Sequence, residues 1–392
     1  MGRRTLSATL AALACVAIAS CTTGPGRVEP ASSGVESAAW RRLPDGPLTA
    51  REGAIALWTG TEVLVVGGSA APPCPPTASC VPPDRLLTDG AAYSPASRTW
   101  RAIAPAPEPV AWADAVVVGQ VAYVLPSAPR GGTSSLLAYD IGEDRWSRLS
   151  PPGEGGDGYR LLGAGEHLVA YRSSDERDPD LPDLFHDPRT AGWQPLPADP
   201  LGPGFDRTMA WTGRELVLFD KQLVPDPGAQ RPSVTRAALV VDPFAGAPPV
   251  WRRLADSEIL GTSPWLVAGG RLVNPTLGGA DGGKVGNYGR AYPYGGVVDL
   301  PSGRWSTLPP APDGLESAGA FDERAAVYTR PDGAVLDVAR GRWIHLPQLP
   351  KGSDTAGPTV VAAGRDLVIF GGAHWTSDQG TLRDEGWIWS PR

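Results

Sequence analysis

Ala54-Ile55-Ala56-Leu57-Trp58-Thr59-Gly60-Thr61-Glu62-Val63-Leu64-Val65-Val66-Gly67-Gly68 is two apolar runs with a tight turn between them and two glycines after the second. Each run is too short for a helix and is bounded by turn residues, which predicts a hairpin of short strands. A loop follows, then Ala91-Ala92-Tyr93, a polar turn over 94–99 and Trp100-Arg101-Ala102-Ile103. Residues 54–103 therefore predict four consecutive short strands.

The same order recurs. Ala210-Trp211-Thr212-Gly213-Arg214-Glu215-Leu216-Val217 repeats the hairpin, and so does Val361-Ala362-Ala363-Gly364-Arg365-Asp366-Leu367-Val368. Weaker copies lie around Gly119, Gly165, Gly270 and Asp322. Glycine, or aspartate in its place, suits the positive-φ position of a tight hairpin turn. The most regular marker is a tryptophan followed three residues on by an apolar side chain. The pairs are Trp40/Leu43, Trp100/Ile103, Trp146/Leu149, Trp193/Leu196, Trp251/Leu254, Trp305/Leu308 and Trp343/Leu346, at intervals of 38 to 60 residues. Tyr93 and Tyr139 each stand seven residues before their tryptophan, as Val298 does before Trp305. That spacing, with a turn inside it, suits aromatics on adjacent antiparallel strands that pack between neighbouring units.

These repeats resemble the kelch superfamily, whose period is about 50 residues, and the central domain of galactose oxidase, over nearly all of 40–390. Gly67-Gly68 and Gly371-Gly372 match the family's double glycine, and Tyr93…Trp100 and Tyr139…Trp146 match its Tyr–Trp spacing. The other repeats lack the double glycine, with Leu125-Pro126 and Phe219-Asp220 in its place. The resemblance implies an all-β, kelch-type β-propeller. It implies no particular activity, because kelch propellers do many unrelated jobs. The markers count to seven blades, or six if the stretch 316–346 is degenerate. Trp40 has the outer-strand marker without inner strands before it, and the last repeat has only three strands of its own. The segment 40–43 is thus expected to complete the last blade and close the ring, leaving no open edge.

Residues 1–20 are expected to be a leader: Arg3 and Arg4, an apolar stretch over 6–18 too short to span a bilayer, then small residues. Ile18-Ala19-Ser20-Cys21 resembles a bacterial lipobox, which implies a lipoprotein whose Cys21 is acylated and holds the protein to a membrane outside the cytoplasm. Two arginines leave Sec or Tat export open. Residues 21–38, rich in Gly, Pro, Ser and Thr, read as a flexible tether, and 39–392 as the propeller. The formal charge is −7, and more negative without the leader's arginines, which argues against nucleic acid as a partner. Forty-nine glycines, 43 prolines and 14 tryptophans against two methionines fit many turns and short strands.

In a propeller the loops joining second to third strands share a face with those joining successive blades. Here the second-to-third loops are long (69–90, 173–183, 221–235, 274–293 and 373–385) and the opposite turns short, so binding is expected on the long-loop face. Cys74 and Cys80 lie in the first long loop, and outside the cytosol they are expected to form a disulfide rather than a metal site. Gly278-Gly279-Ala280-Asp281-Gly282-Gly283-Lys284 has phosphate-loop spacing, but Val285 replaces the Ser or Thr and no helix follows, so it reads as a flexible loop. Thr376-Ser377-Asp378-Gln379-Gly380 lacks the closing half of an Asp-box. The acidic residues between Asp175 and Asp187 lack a calcium loop's spacing and read as solvated. The four histidines are scattered, and the cysteines that a galactose oxidase copper site needs are otherwise occupied; no metal, cofactor or catalytic residue is expected.

Six residues opening the first strands are expected to ring the mouth of the central channel: Arg51, Trp112, Asp114, Arg160, Arg207 and Glu316. Arginine beside tryptophan suits a carboxylate clamp or sugar stacking, and the bland alternative is that these side chains pin the loops between blades. Three functions remain open: a non-catalytic binder of a protein or glycan, an enzyme on small sugars or peptides like the sialate mutarotase and glutaminyl cyclase propellers, and a structural platform in an envelope complex.

Overall fold

A computed structural model describes residues 39–75, 78, 80, 83–126, 134–153, 156, 158–174, 181–186, 192–223, 232–244, 250–261, 264–277, 292–293, 295–312, 325–327, 333–353, 355–377 and 379–391. Among them there is no helix. The strands form six four-stranded antiparallel sheets, one three-stranded sheet and one two-stranded hairpin. The first sheet is Ile55–Trp58, Val63–Val66, Gly90–Ser94 and Thr99–Ile103, in that order, as the opening stretch predicts. The second begins at Asp114–Val118, the third at Tyr159–Ala164, the fourth at Phe205–Trp211 and the fifth at Leu266–Ala268, each an up-and-down meander. The three-stranded sixth sheet is Ala325–Val327, Ala334–Asp337 and Arg342–His345. In the seventh, Thr359–Ala363, Asp366–Phe370 and Gly386–Trp389 are joined by Arg41–Arg42, with Arg41 opposite Ile388 and Arg42 opposite Trp387.

The middles of the second strands are apolar because both of their faces are buried. Val63 and Val65 face a cluster shared with Val368, Phe370 and Ile388 of the seventh sheet. Leu64 and Val66 face one shared with Val124 and Leu137 of the second. The alternation continues along the chain: Leu168 packs toward the second sheet, and Val169 toward Leu216 and Leu218 of the fourth. Val217 and Phe219 meet Leu272 of the fifth, Val273 meets Leu336 of the sixth, and Val335 meets Leu367 and Trp387 of the seventh. Sheets stacked face to face in sequence order are consistent with a β-propeller.

The marker tryptophans share one further bond. Trp100 donates its indole N–H to the Pro44 carbonyl at 2.9 Å, Trp146 to Ala104 at 2.8 Å and Trp193 to Ser150 at 3.0 Å. Trp251 donates to Pro197 at 3.0 Å, Trp305 to Ala255 at 2.9 Å and Trp343 to Pro309 at 3.0 Å. Trp40 completes the series on Pro347 at 2.6 Å. Each acceptor lies four residues beyond the marker tryptophan of the adjoining sheet. Tyr93 and Tyr139 pair directly across the strand with Trp100 and Trp146, at ring-centroid distances of 5.1 and 5.0 Å.

The double glycines have a steric cause. Gly67 and Gly371 take φ values of 66° and 69°, and a Cβ would lie 2.0 Å from the Val110 carbonyl oxygen in one and 2.5 Å from that of Arg51 in the other. Gly68 and Gly372 then donate to those same two carbonyls. Glycine lets the end of a second strand reach the loop entering the next sheet.

Two of the predicted loops are partly sheet. Glu215–Gln222 and Val234–Val241 pair as far as Lys221 with Thr235 and Gln222 with Val234, so the fourth sheet extends into 221–235. The span 373–385 holds the hairpin Ala373–Thr376 with Gln379–Leu382, and Ser377 turns it at φ 57°. Cys74 and Cys80 are disulfide-bonded. Pro73 beside them packs on the hairpin, where a Cβ on Gly380 would meet it at 2.5 Å. The leader, Cys21, the tether and the loop 278–284 lie outside the described residues.

Candidate functional site

The chain brings three of the six expected residues to one cavity. Asp114 opens the first strand of the second sheet, Arg160 lies in the first strand of the third, and Arg207 in that of the fourth. With Tyr171, Ser173, Ser174, Asp206, Thr208 and Pro264 they line a space of about 500 Å³.

Its charges fall into two groups. Arg207 is buried and committed: one guanidinium nitrogen donates to the Arg172 carbonyl at 3.0 Å and to Asp183 Oδ1 at 3.1 Å. The other reaches Asp183 Oδ2 at 2.8 Å and Asp199 Oδ2 at 3.0 Å. Asp206, in the left-handed region at φ 49°, accepts from the buried Lys221 ammonium at 2.6 Å. Behind it Arg236 grips the buried Asp220 carboxylate, with Nε to Oδ1 at 2.7 Å. Arg160 is different: it is exposed and has no hydrogen-bond or ion-pair partner among the described residues.

Asp114 stands near Arg160 and accepts the Leu161 amide N–H at 2.5 Å. Burial pushes its carboxyl above the usual carboxylate range, against the pull of that hydrogen bond and of the Arg160 charge. Burial also pushes the Tyr171 phenol up to about 12, so it stays a neutral donor in the wall. Thr208 Oγ1 is buried without a hydrogen-bond partner among the described residues.

Asp114 yields a pH prediction. Its folded pKa is raised, so the stability it contributes is present below the unfolded value of about 3.9 and is lost as pH rises through the folded value. Asp114→Asn keeps an acceptor for Leu161 and removes the desolvated charge. The variant should therefore unfold at a higher denaturant midpoint than the wild type at pH 7, with the two converging near pH 4. Chemical denaturation at both pH values checks it; a variant less stable at pH 7 counts against the buried-charge account.

The remaining expected residues go elsewhere. Arg51 is 1% exposed. All five of its N–H donors are used: on the Thr49 carbonyl and hydroxyl, the Gly67 carbonyl, and both oxygens of Asp89 at 2.8 Å each. It pins the loop entering the first sheet and has no donor left for a ligand. The hydrogen bonds from its guanidinium hold Asp89 below the usual carboxylate range. Trp112 is 53% exposed and lies over Gly53, outside the cavity lining. Glu316 lies outside the described residues. Of the acidic stretch, Asp183 is not solvated: it is the bidentate partner of Arg207. Tyr171, Asp206 and Thr208 escaped the sequence. The available signal was the missing double glycine in the fourth sheet, where Phe219-Asp220 stands in its place, next to the Lys221 from which Asp206 accepts.

No family model matches this chain, and no curated protein matches it either. Solved structures do, among them one titled "Structure of YjhT", over 87% of this chain and 99% of that one, at 14% identity and a TM-score of 0.43. A likeness that loose carries nothing beyond itself; the fold rests on the sheets and their register.

Proposed function

We propose that this chain is a kelch-type propeller of seven blades, closed by Arg41–Arg42, held outside the cytoplasm by an acylated Cys21, and binding a glycan end in the Asp114–Arg160 cavity without catalysing a reaction. The series of indole bonds that includes Trp40 on Pro347 supports seven units and closure. The observation that carries binding is Arg160, an exposed guanidinium lining the cavity with no hydrogen-bond or ion-pair partner among the described residues, among lining hydroxyls. A cavity of that size, lined by arginine, carboxylate and hydroxyl side chains, suits a sugar-sized end rather than a flat protein surface. Guanidinium donors take hydroxyl or carboxylate oxygens, while Asp114 accepts from hydroxyls.

The test is calorimetric titration with mono- to trisaccharides of glucose, N-acetylglucosamine and glucuronic acid. Wild type should bind at least one series, and Arg160→Ala should weaken it at least about tenfold, the loss of one charge-assisted hydrogen bond, with an unchanged melting temperature. Binding to none, or equal binding by the variant, rejects the cavity as the site. Anchoring has its own check: Cys21→Ala should move the protein to the soluble fraction or leave the leader uncut, and retention without acyl mass on the mature N-terminus rejects it. The raised Asp114 carboxyl favours a second function, an enzyme moving a proton on a small sugar or peptide, and turnover of a bound saccharide would distinguish it.

A further inference from the structure

In each sheet the short turns lie at the edge opposite the long loops, and Ser173 and Ser174 put the cavity at the long-loop edge. Charge is unevenly divided among those turns. Arg98 ends a turn of the first sheet, Arg271 and Arg304 follow turns of the fifth, and Arg365 lies in a turn of the seventh. All four are exposed, and none bonds or ion-pairs through its guanidinium with a described residue. At the turns of the first, fifth, sixth and seventh sheets, Glu62 is taken by Arg101 and Asp337 by Arg340. That leaves Asp299 and Asp366 among the described residues to face four open arginines. The second, third and fourth sheets are the reverse. Arg145 and Arg214 are held by Glu143 and Asp242, and Asp140, Asp144, Glu166 and Glu215 remain over.

The basic turns adjoin one another. The Tyr93 hydroxyl feels the charges of Arg41, Arg98 and Asp366, which brings the edges of the first and seventh sheets together. Leu367 and Trp389 of the seventh pack with Val335 of the sixth, and Ala268, just before the fifth sheet's first turn, shares a cluster with Val338 of the sixth. The chain also enters on this border. Arg41 opens the clasp strand opposite Ile388 and donates to the Ser390 hydroxyl at 3.4 Å, so residues 21–38 join the fold beside the arginines. A flexible chain of that length spans about 25 Å end to end.

We infer that this border of short turns docks on the anionic headgroups of the membrane that carries the anchor, and so turns the cavity away from the bilayer. The inference rests on the acylated Cys21. A short tether keeps the arginines at high local concentration over the lipid, so a few guanidinium–phosphate contacts suffice to orient the ring.

The experiment places the mature acylated chain in vesicles of phosphatidylcholine, or of phosphatidylcholine and phosphatidylglycerol in equal parts. Arginine modification by phenylglyoxal is then read residue by residue by mass spectrometry. On the anionic vesicles Arg98, Arg271, Arg304 and Arg365 should react at least about threefold more slowly than on the neutral ones, with Arg160 unchanged. Added salt should remove the difference, because exposed charges are screened. Arg304→Gln combined with Arg365→Gln should weaken the protection of Arg98 and Arg271 at an unchanged melting temperature. Full protection in that variant overturns the role of these arginines. Equal rates on the two lipids, or equal slowing at Arg160, reject the docking surface while the anchor stands. Absence of acyl mass on the chain rejects the anchor and the inference with it.

Discussion

Deleting residues 39–44 should lower the denaturation midpoint far more than deleting 22–36. Trp40 and Leu43 are buried at 6% and 3% exposure, Trp40 bonds Pro347, and Leu43 accompanies the strand pairing of Arg41 and Arg42. Burying side chains of this size contributes about 1.5–3 kcal/mol each, and the deletion also opens the edge of Gly386–Trp389. Trp40→Ala alone should cost about 3–5 kcal/mol, because the cavity it leaves faces Trp387 and Leu346 and cannot collapse fully. Residues 22–36 are small and polar in sequence, with little to bury. Equal midpoints for the two deletions would reject the clasp. Urea denaturation of the three proteins against wild type decides it.

Arg207→Ala should be the most damaging single change at the cavity. It strips Asp183, whose side chain is 9% exposed, of both guanidinium bonds, and it leaves Asp199 without its partner. Removing one side of a buried pair costs about 3–5 kcal/mol, because the other charge stays buried alone. The pH dependence has a definite sign. Burial already raises Asp183, and Arg207 pulls against it. Without the arginine the folded pKa moves further up, so the variant takes up a proton on folding and its deficit shrinks as pH falls toward 4. Arg207→Met combined with Asp183→Leu should recover much of the loss, since an apolar pair of similar volume needs no compensation. Melting curves at pH 7 and pH 5 measure all of this. A single variant as stable as wild type at pH 7 would mean that the ion pair is idle.

Arg51, Arg160 and Arg207 illustrate how far sequence reaches. All three precede or open a first strand, and nothing local distinguishes them. Their fates are set by carboxylates 38 and 24 residues away: Asp89 arrives under Arg51 and Asp183 under Arg207, whereas no described residue forms a hydrogen bond or ion pair with Arg160, Asp114 only standing near it. A guanidinium is available to a ligand only if no such partner closes on it, and that depends on where loops return. Trp112 was expected at the channel mouth from its place before a first strand, but its strained seat on Gly53 was not visible, because a backbone dihedral and a contact across 59 residues leave no local pattern.

By itself the sequence determined the strands and their turns. Alternating and continuous apolar runs, hairpin glycines and the tryptophan marker act over fewer than ten residues, where chain geometry alone restricts the choices. The cross-strand partners of Tyr93 and Tyr139 followed from the same short-range spacing. Tertiary structure decided everything that needs two distant segments to meet. It placed each indole on the adjoining sheet's carbonyl and carried the fourth sheet into a predicted loop. It also folded a hairpin inside another loop and gathered Asp114, Arg160 and Tyr171 around one space. The physical reason is that burial and charge pairing are properties of assembled neighbours: one side chain can end as a loop pin, a salt-bridge partner or an open binding group according to what packs against it.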